Sequence, residues 1–391
     1  MKLFWNLRWL PAAVFLLLLN ASCGVRNARP IGRIQGTVED GDGAAHESPF
    51  AGRTVTARGV ICQRLLQPLD DGRARAWIAV QELPAYADGN AMTSDALLVA
   101  VRDDGLIPSN DGPLHPSVGM EIVLRGRIEE RDGQTALVEP FLLRLIRTDV
   151  DPAAEIPAPV ACPPDSPAAA AVYWERLEGM QVTVPKSAVA QGGTAFDWWR
   201  RHGRQFVVCL EGWIDNRMNP YAARVFRDAH PLDDHPDTLF DNGNGFVFAI
   251  GDYGLKAAAG DPSATLPPAR TFARLAEPLR GAVVQARGTY AVHPPVAPVF
   301  LSRTDPAAPS RPPRGESGLT VAAYNVENLY DAWDDPFDDR DYALARSSTN
   351  EPVRLANYVP ASPEAYRRKL RGLALQIVED LRSPDILMIQ E

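Results

Sequence analysis

Histidine, cysteine and positive charge are all in short supply in this chain of 391 residues. Its six histidines are His46, His115, His202, His230, His235 and His293, so none lies in the last hundred or so positions. Four cysteines, none at CxxC spacing, argue against a zinc ribbon or a dithiol redox centre. A formal net charge of −9 excludes a broadly cationic surface, so any grip on a polyanion must come from local patches or from a metal ion. The apolar run near the N-terminus is short and interrupted by Pro11, which does not suit a permanent membrane span. What the chain does have is 46% hydrophobic residues, ample for packed cores, and a length that suits two or three domains at ~150 residues each.

Residues 1–23 read as an export signal: Lys2 and Arg8, an apolar stretch through Val14, Phe15 and Leu16 to Leu19, then Asn20-Ala21-Ser22-Cys23. Cys23 after two small residues resembles a bacterial lipoprotein cleavage site, which would attach the chain to a membrane by a lipid on that thiol. Asn20 departs from the usual Leu, and plain secretion stays open. The expected location is extracellular or on the cell envelope. Cys62, Cys162 and Cys209 then allow at most one disulfide in an oxidising compartment.

From residue 31 to 149 short β-rich runs alternate with turns: Thr54 to Ile61, Ala76 to Val80, Ala96 to Val101, Glu121 to Ile128 and Thr135 to Val138. Asp132-Gly133 marks a tight hairpin. Gly52 to Gly59 and Gly119 to Gly126 share one glycine-bounded pattern that returns at Gly281 to Gly288, and strands that bend where a side chain is missing suit a barrel of the OB type. Trp77 is read as a core residue of this barrel. Residues 151–171, rich in Pro and Ala, predict an extended spacer. A second OB-like β domain is expected over 172–305. It contains Trp198, Trp199, Arg200, Arg201 and Arg204, where aromatics interleaved with cations suit stacking on bases and neutralising phosphate; a solvated hairpin tip with inward tryptophans is the competing reading. The carboxylates of Asp233 to Asp241 lack the spacing and terminal Glu of a calcium loop and read as turns.

Residues 317–391 organise differently. Leu319 to Asn325 is a short apolar strand; Ser362, Pro363 and Glu364 signal a helix start; Tyr366, Leu370, Leu373, Ala374, Ile377 and Leu381 lie on one helical face. Ser383-Pro384 stops the helix, and Asp385 to Glu391 is a second strand. Strand, helix, strand implies a parallel pair whose carboxyl ends meet, bringing Asn325 and Glu391 to one rim. Two hard oxygen ligands there suit Mg²⁺, or Ca²⁺ or Mn²⁺; capping or solvated roles are the plainer alternative.

Tyr324-Asn325-Val326-Glu327-Asn328-Leu329-Tyr330-Asp331 and Pro384-Asp385-Ile386-Leu387-Met388-Ile389-Gln390-Glu391 resemble the opening of the endonuclease/exonuclease/phosphatase superfamily, the fold of deoxyribonuclease I. By that resemblance Asn325 and Glu391 match its first two metal positions, while Asp385 is read as structural. The barrels are similar to the OB-like domains that precede such nucleases in bacterial extracellular enzymes. The fold class expected is therefore mostly β: two OB-like barrels followed by the first β-α-β unit of a deoxyribonuclease I-like α/β sandwich. The resemblance implies an exported, metal-dependent phosphodiesterase acting on DNA or RNA, with no obligate protein partner. Its general-base histidine would lie downstream of Glu391, leaving the given chain an inactive N-terminal portion. A phosphatase or lipid phosphodiesterase of the same fold, and a non-catalytic OB-type nucleic-acid or surface-binding module, are the alternatives.

Overall fold

The computed structural model describes residues 28–38, 46–69, 73–102, 105–164, 166–190, 195–196, 204–210, 245–269, 273–286, 289–301, 318–326, 329, 362–381 and 383–390. The chain divides into two compact units, Met1–Pro309 and Ser310–Glu391. Among its described residues the first is mostly β, with four short helices.

A short helix, α1 (Ile31–Gln35), leads into five strands: β1 (Thr54–Pro68), β2 (Ala74–Gln81), β3 (Ala96–Ala100), β4 (Glu121–Arg131) and β5 (Gln134–Arg147). They close into a barrel in the order β1-β2-β3-β5-β4, all pairs antiparallel except β3 with β5. That order is the five-stranded OB barrel expected from the glycine-bounded strands. Val55, Ile61, Ile78, Val80, Leu97, Val99, Ile122, Leu124 and Leu137 fill its interior, at alternate positions as the pleat requires. The bends fall where glycine lets backbones close in. A Cβ on Gly126 would stand 2.3 Å from Leu137 Cδ2 and 2.7 Å from Val138 O. Asp132 and Gly133, with φ of 55° and 76°, make the left-handed pair that a two-residue hairpin needs.

Strand β5 outruns its sequence-based limit at Val138. Glu139 takes a left-handed φ of 51° and the β4–β5 register shifts beside it, so the strand bulges across Pro140 and continues to Arg147. The expected extended spacer over 151–171 is also corrected. It holds α2 (Pro152–Glu155), capped by the Asp151 carboxylate accepting from Ala153 N at 2.9 Å, and the start of α3 (Pro167–Glu175). Pro152 and Pro167 stand in the first turn of each helix, where proline costs nothing, so proline content signalled helix starts rather than an extended chain. Ile156 and Ala161 are buried, anchoring the stretch against the barrels.

Beyond it come β6 (Gln181–Val184), β7 (Val189–Ala190), β8 (Ala195–Phe196), β9 (Arg204–Cys209), β10 (Phe248–Gly251), helix α4 (Tyr253–Ala259), β11 (Leu279–Ala286) and β12 (Thr289–His293). The sheet runs β6-β11-β12-β10-β9-β7, with β8 paired to β9. β6 and β7 are two pieces of one stretch interrupted at Pro185, which has no N–H to give a ladder. Counting them as a single first strand reproduces the order of the first barrel, and the pair equivalent to β3–β5, β10 with β12, is again parallel. Two OB-like units therefore stand in tandem. The second packs Val182, Val184, Phe206, Val208, Phe248, Ile250, Val283 and Val292 around Trp174.

The second compact unit consists of β13 (Val321–Asn325), α5 (Pro363–Leu375), whose last turn widens to π-type geometry over Gln376–Asp380, and β14 (Ile386–Gln390). β13 and β14 pair in parallel, as the β-α-β reading requires. Ser362 caps α5 by accepting from Ala365 N at 3.2 Å. Among the described residues, no helix is long and apolar enough to cross a membrane.

Candidate nucleic-acid interface

In an OB barrel the outer face of strands two and three, rimmed by the hairpin loops before strand two and before strand five, is where oligonucleotides bind. On the first barrel that face is closed. Trp77 and Ala79 on β2, Leu98 on β3 and Leu65 on β1 point outward and pack with Tyr253 of α4 and Ala282 and Val284 of β11. Trp77 is therefore a core residue, 4% exposed, with Nε1 donating to Gln67 Oε1 at 2.9 Å.

Buried amides lock the seam. Gln63 Oε1 accepts from Gln181 Nε2 at 3.1 Å and from Ala282 N at 2.9 Å, while its Nε2 donates to the carbonyl of His293. Gln81 Oε1 accepts from Gln181 N at 2.9 Å, and Gln134 Oε1 accepts from Gln285 N at 2.7 Å. Glu178 completes the joint: its carboxylate accepts from Thr135 N at 2.9 Å and Gln35 Nε2 at 3.3 Å, and its carbonyl accepts from Ser94 Oγ at 2.6 Å. Tyr290 Oη donates to Glu175 and Glu178. Burial, then the neighbouring carboxylates of Glu175 and Glu130, hold the Glu178 carboxyl well above the usual range; burial likewise pushes Glu175 up to about 7. Satisfied polar networks of this kind specify one arrangement of the packed parts. The first barrel's customary ligand face is thus spent on its neighbour.

On the second barrel the equivalent strands are β9 and β10. The inner side carries Phe206, Val208, Phe248 and Ile250. Outward, Cys209 is buried against Phe246 and Val247, whereas Gln205 and Val207 are half-buried and reach solvent. β8 and β9 pair antiparallel, Ala195 with Gln205 and Phe196 with Arg204, so residues 197–203 connect these two strands. Trp198, Trp199, Arg200 and Arg201 belong to that connection and lie outside the described residues; Arg204 begins β9, with only its backbone described. The β11–β12 connection, 287–288, also lies outside the described residues.

In the second unit Asn325 ends β13 opposite Gln390 of β14, and Val326 N donates to Gln390 O at 3.0 Å. Glu391, the residue after, lies outside the described residues, as do Cys23, the 1–23 signal and the Asp233 to Asp241 cluster. Paired positions of a parallel ladder share a face, and successive residues alternate. A metal held jointly by Asn325 and Glu391 therefore requires the chain to turn at Glu391. Both are hard oxygen donors that suit Mg²⁺, but among the described residues no group of three His, Cys, Asp or Glu side chains could hold a metal ion. Asp385 clamps the strand starts: its Oδ2 accepts from Thr320 N at 2.9 Å and Thr320 Oγ1 at 2.7 Å. Cys62, Cys162 and Cys209 are free thiols, and burial raises Cys62 to about 12.

No protein-family model matches this chain, and no curated protein matches it. Among solved structures, a wild-type single-stranded DNA binding protein from Thermus aquaticus aligns over 68% of this chain and 96% of its own, at 11% identity and a TM-score of 0.16. So loose an overlay carries no argument about function; the barrel assignment rests on strand order and register.

Proposed function

We propose that the tandem OB unit binds single-stranded nucleic acid on the second barrel, along β9 beside its connection to β8. One observation carries the reading: the Trp198 to Arg201 segment connects β8 to β9, a strand of the face that the first barrel has lost to packing and the second keeps partly open at Gln205 and Val207. Stacking tryptophans among guanidiniums bind bases without sequence preference and neutralise the backbone, which lets a chain of net charge −9 hold a polyanion locally. Fluorescence anisotropy with a labelled thymidine oligomer tests it. Replacing Trp198 and Trp199 by Ala should weaken binding by about 1–3 kcal/mol per stacked base, and affinity should fall as salt rises. Unchanged affinity in the double variant would remove the proposal.

A second reading is a metal-dependent phosphodiesterase, a nuclease in the first instance, exported and held at the surface through Cys23. It is supported by the parallel β13–β14 pair joined through α5, with Asn325 at the carboxyl end of its strand. Here Asn325 and Glu391 would hold Mg²⁺, which would supply charge stabilisation at a phosphate. Titration with Mn²⁺ should broaden the amide resonances of Asn325 and Gln390, and the broadening should vanish in Glu391→Ala. Sharp resonances throughout the wild-type titration would rule this reading out.

A further inference from the structure

A cleft of about 540 Å³ opens on the first barrel between α1 and the loop before β3, with Arg29, Arg33, Phe50, Asp88 and Asn90 among its walls. Arg29 stands just ahead of α1 and Arg33 within it, four residues on, and both are exposed. Neither has a carboxylate within ion-pair distance among the described residues. This sets them apart from Arg58, Arg127, Arg131 and Arg147, which are all paired to glutamates. Asp88 also lines the cleft, its carboxylate accepting from Asn90 N at 2.9 Å and Thr93 Oγ1 at 3.3 Å, both residues of the same wall, so two guanidiniums face one carboxylate there. The half-buried Phe50 ring lies 4.9 Å from the Arg29 guanidinium carbon and 6.0 Å from that of Arg53. Two guanidiniums, Arg29 and Arg33, thus line one cleft without an ion pair among the described residues, Arg29 beside its aromatic ring, in a protein whose net charge is negative.

A guanidinium fork matches a phosphate in geometry and is weakly enough hydrated to give up its water. A single phosphate would leave most of the cleft empty, while a volume in the range of small-molecule pockets has room for an attached planar group. Phe50 and Pro49 offer that group an apolar wall, and Asn90 and Thr37 offer it hydrogen-bonding edges. We propose that the cleft binds a nucleotide unit, its phosphate on Arg29 and Arg33 and its base beside Phe50. The site is separate from the one along β9 and does not depend on it.

The test is calorimetric titration of the full chain with inorganic phosphate, adenosine and adenosine 5′-monophosphate, together with anisotropy on a thymidine oligomer. The monophosphate should bind more tightly than either of its parts. Arg29→Gln and Arg33→Gln, both at exposed positions, should each weaken it by about tenfold or more, the size of one charged hydrogen bond. Phe50→Leu should weaken the monophosphate but not inorganic phosphate. If the arginine variants also weaken the oligomer, the bound unit belongs to a strand; if they affect the monophosphate alone, it is a free nucleotide. Equal affinity for adenosine and its monophosphate, or arginine variants that bind like wild type, would overturn the site. Loss of oligomer binding in the Trp198/Trp199 variant bears only on the second barrel, so the two proposals fail separately.

Discussion

Glu82 reports on how the first barrel closes over its leading segment. It follows β2, is 2% exposed, and its N–H donates to the Asp95 carbonyl at 2.9 Å. Burial raises its carboxyl from 4.5 to about 8, against the Ile31 and Gly32 N–H groups that favour the ion and with help from the nearby carboxylates of Asp95 and Asp88. In the unfolded chain the group ionises near 4.5. As pH climbs from 4.5 to 8, unfolding therefore releases a proton that the native state retains, and stability declines across that window and levels off beyond it. At about 1.4 kcal/mol per pH unit, the decline between 4.5 and neutrality comes to roughly 3 kcal/mol for this group. Glu82→Gln keeps the shape and removes the proton. Urea unfolding at a series of pH values should show the variant losing about 3 kcal/mol less than wild type over the same interval. Glu175 shifts in the same direction but is present in both proteins, so it cancels in the comparison. Two stability curves that run parallel from 4.5 to 8 would refute the argument.

Three further outcomes are expected. Gly126→Ala forces a methyl group against Leu137 and the Val138 carbonyl, and thermal denaturation should show a loss of about 1–3 kcal/mol. Trp77→Ala empties the seam between the barrels and should cost about 3–5 kcal/mol, with new protease cleavage in residues 151–164, whereas a surface tryptophan would cost little. Asp385→Ala removes both hydrogen bonds that its carboxylate accepts from Thr320, so amide exchange at Thr320 should speed up about fivefold, at roughly 1 kcal/mol for the hydrogen bond of that amide.

The barrel was legible because its information is local. The β-rich runs Thr54 to Ile61 and Glu121 to Ile128, the Asp132-Gly133 hairpin and the repeated glycines each specify a strand or a bend from neighbours in sequence. The β-α-β unit was legible for the same reason, through the Ser362-Pro363 helix start and the apolar run of β14. The seam was not, since it joins residues 43 to 230 positions apart. A signal was present nonetheless: β3, Ala-Leu-Leu-Val-Ala, has no polar face, and a strand apolar on both sides has to be covered on both. Arg29, Arg33 and Phe50 gave no pattern at all, because their meeting depends on how the leading segment folds back across the barrel.

That Trp77, Leu65 and Leu98 look outward from one barrel only to become the mortar of a joint has a practical corollary. Severing the chain near residue 160 would leave the front half with a greasy wall and the Gln63 and Gln81 side chains stripped of the groups they hold. The halves are best regarded as inseparable lodgers, and anyone wishing to borrow the front one alone would first have to repaint that wall with polar residues.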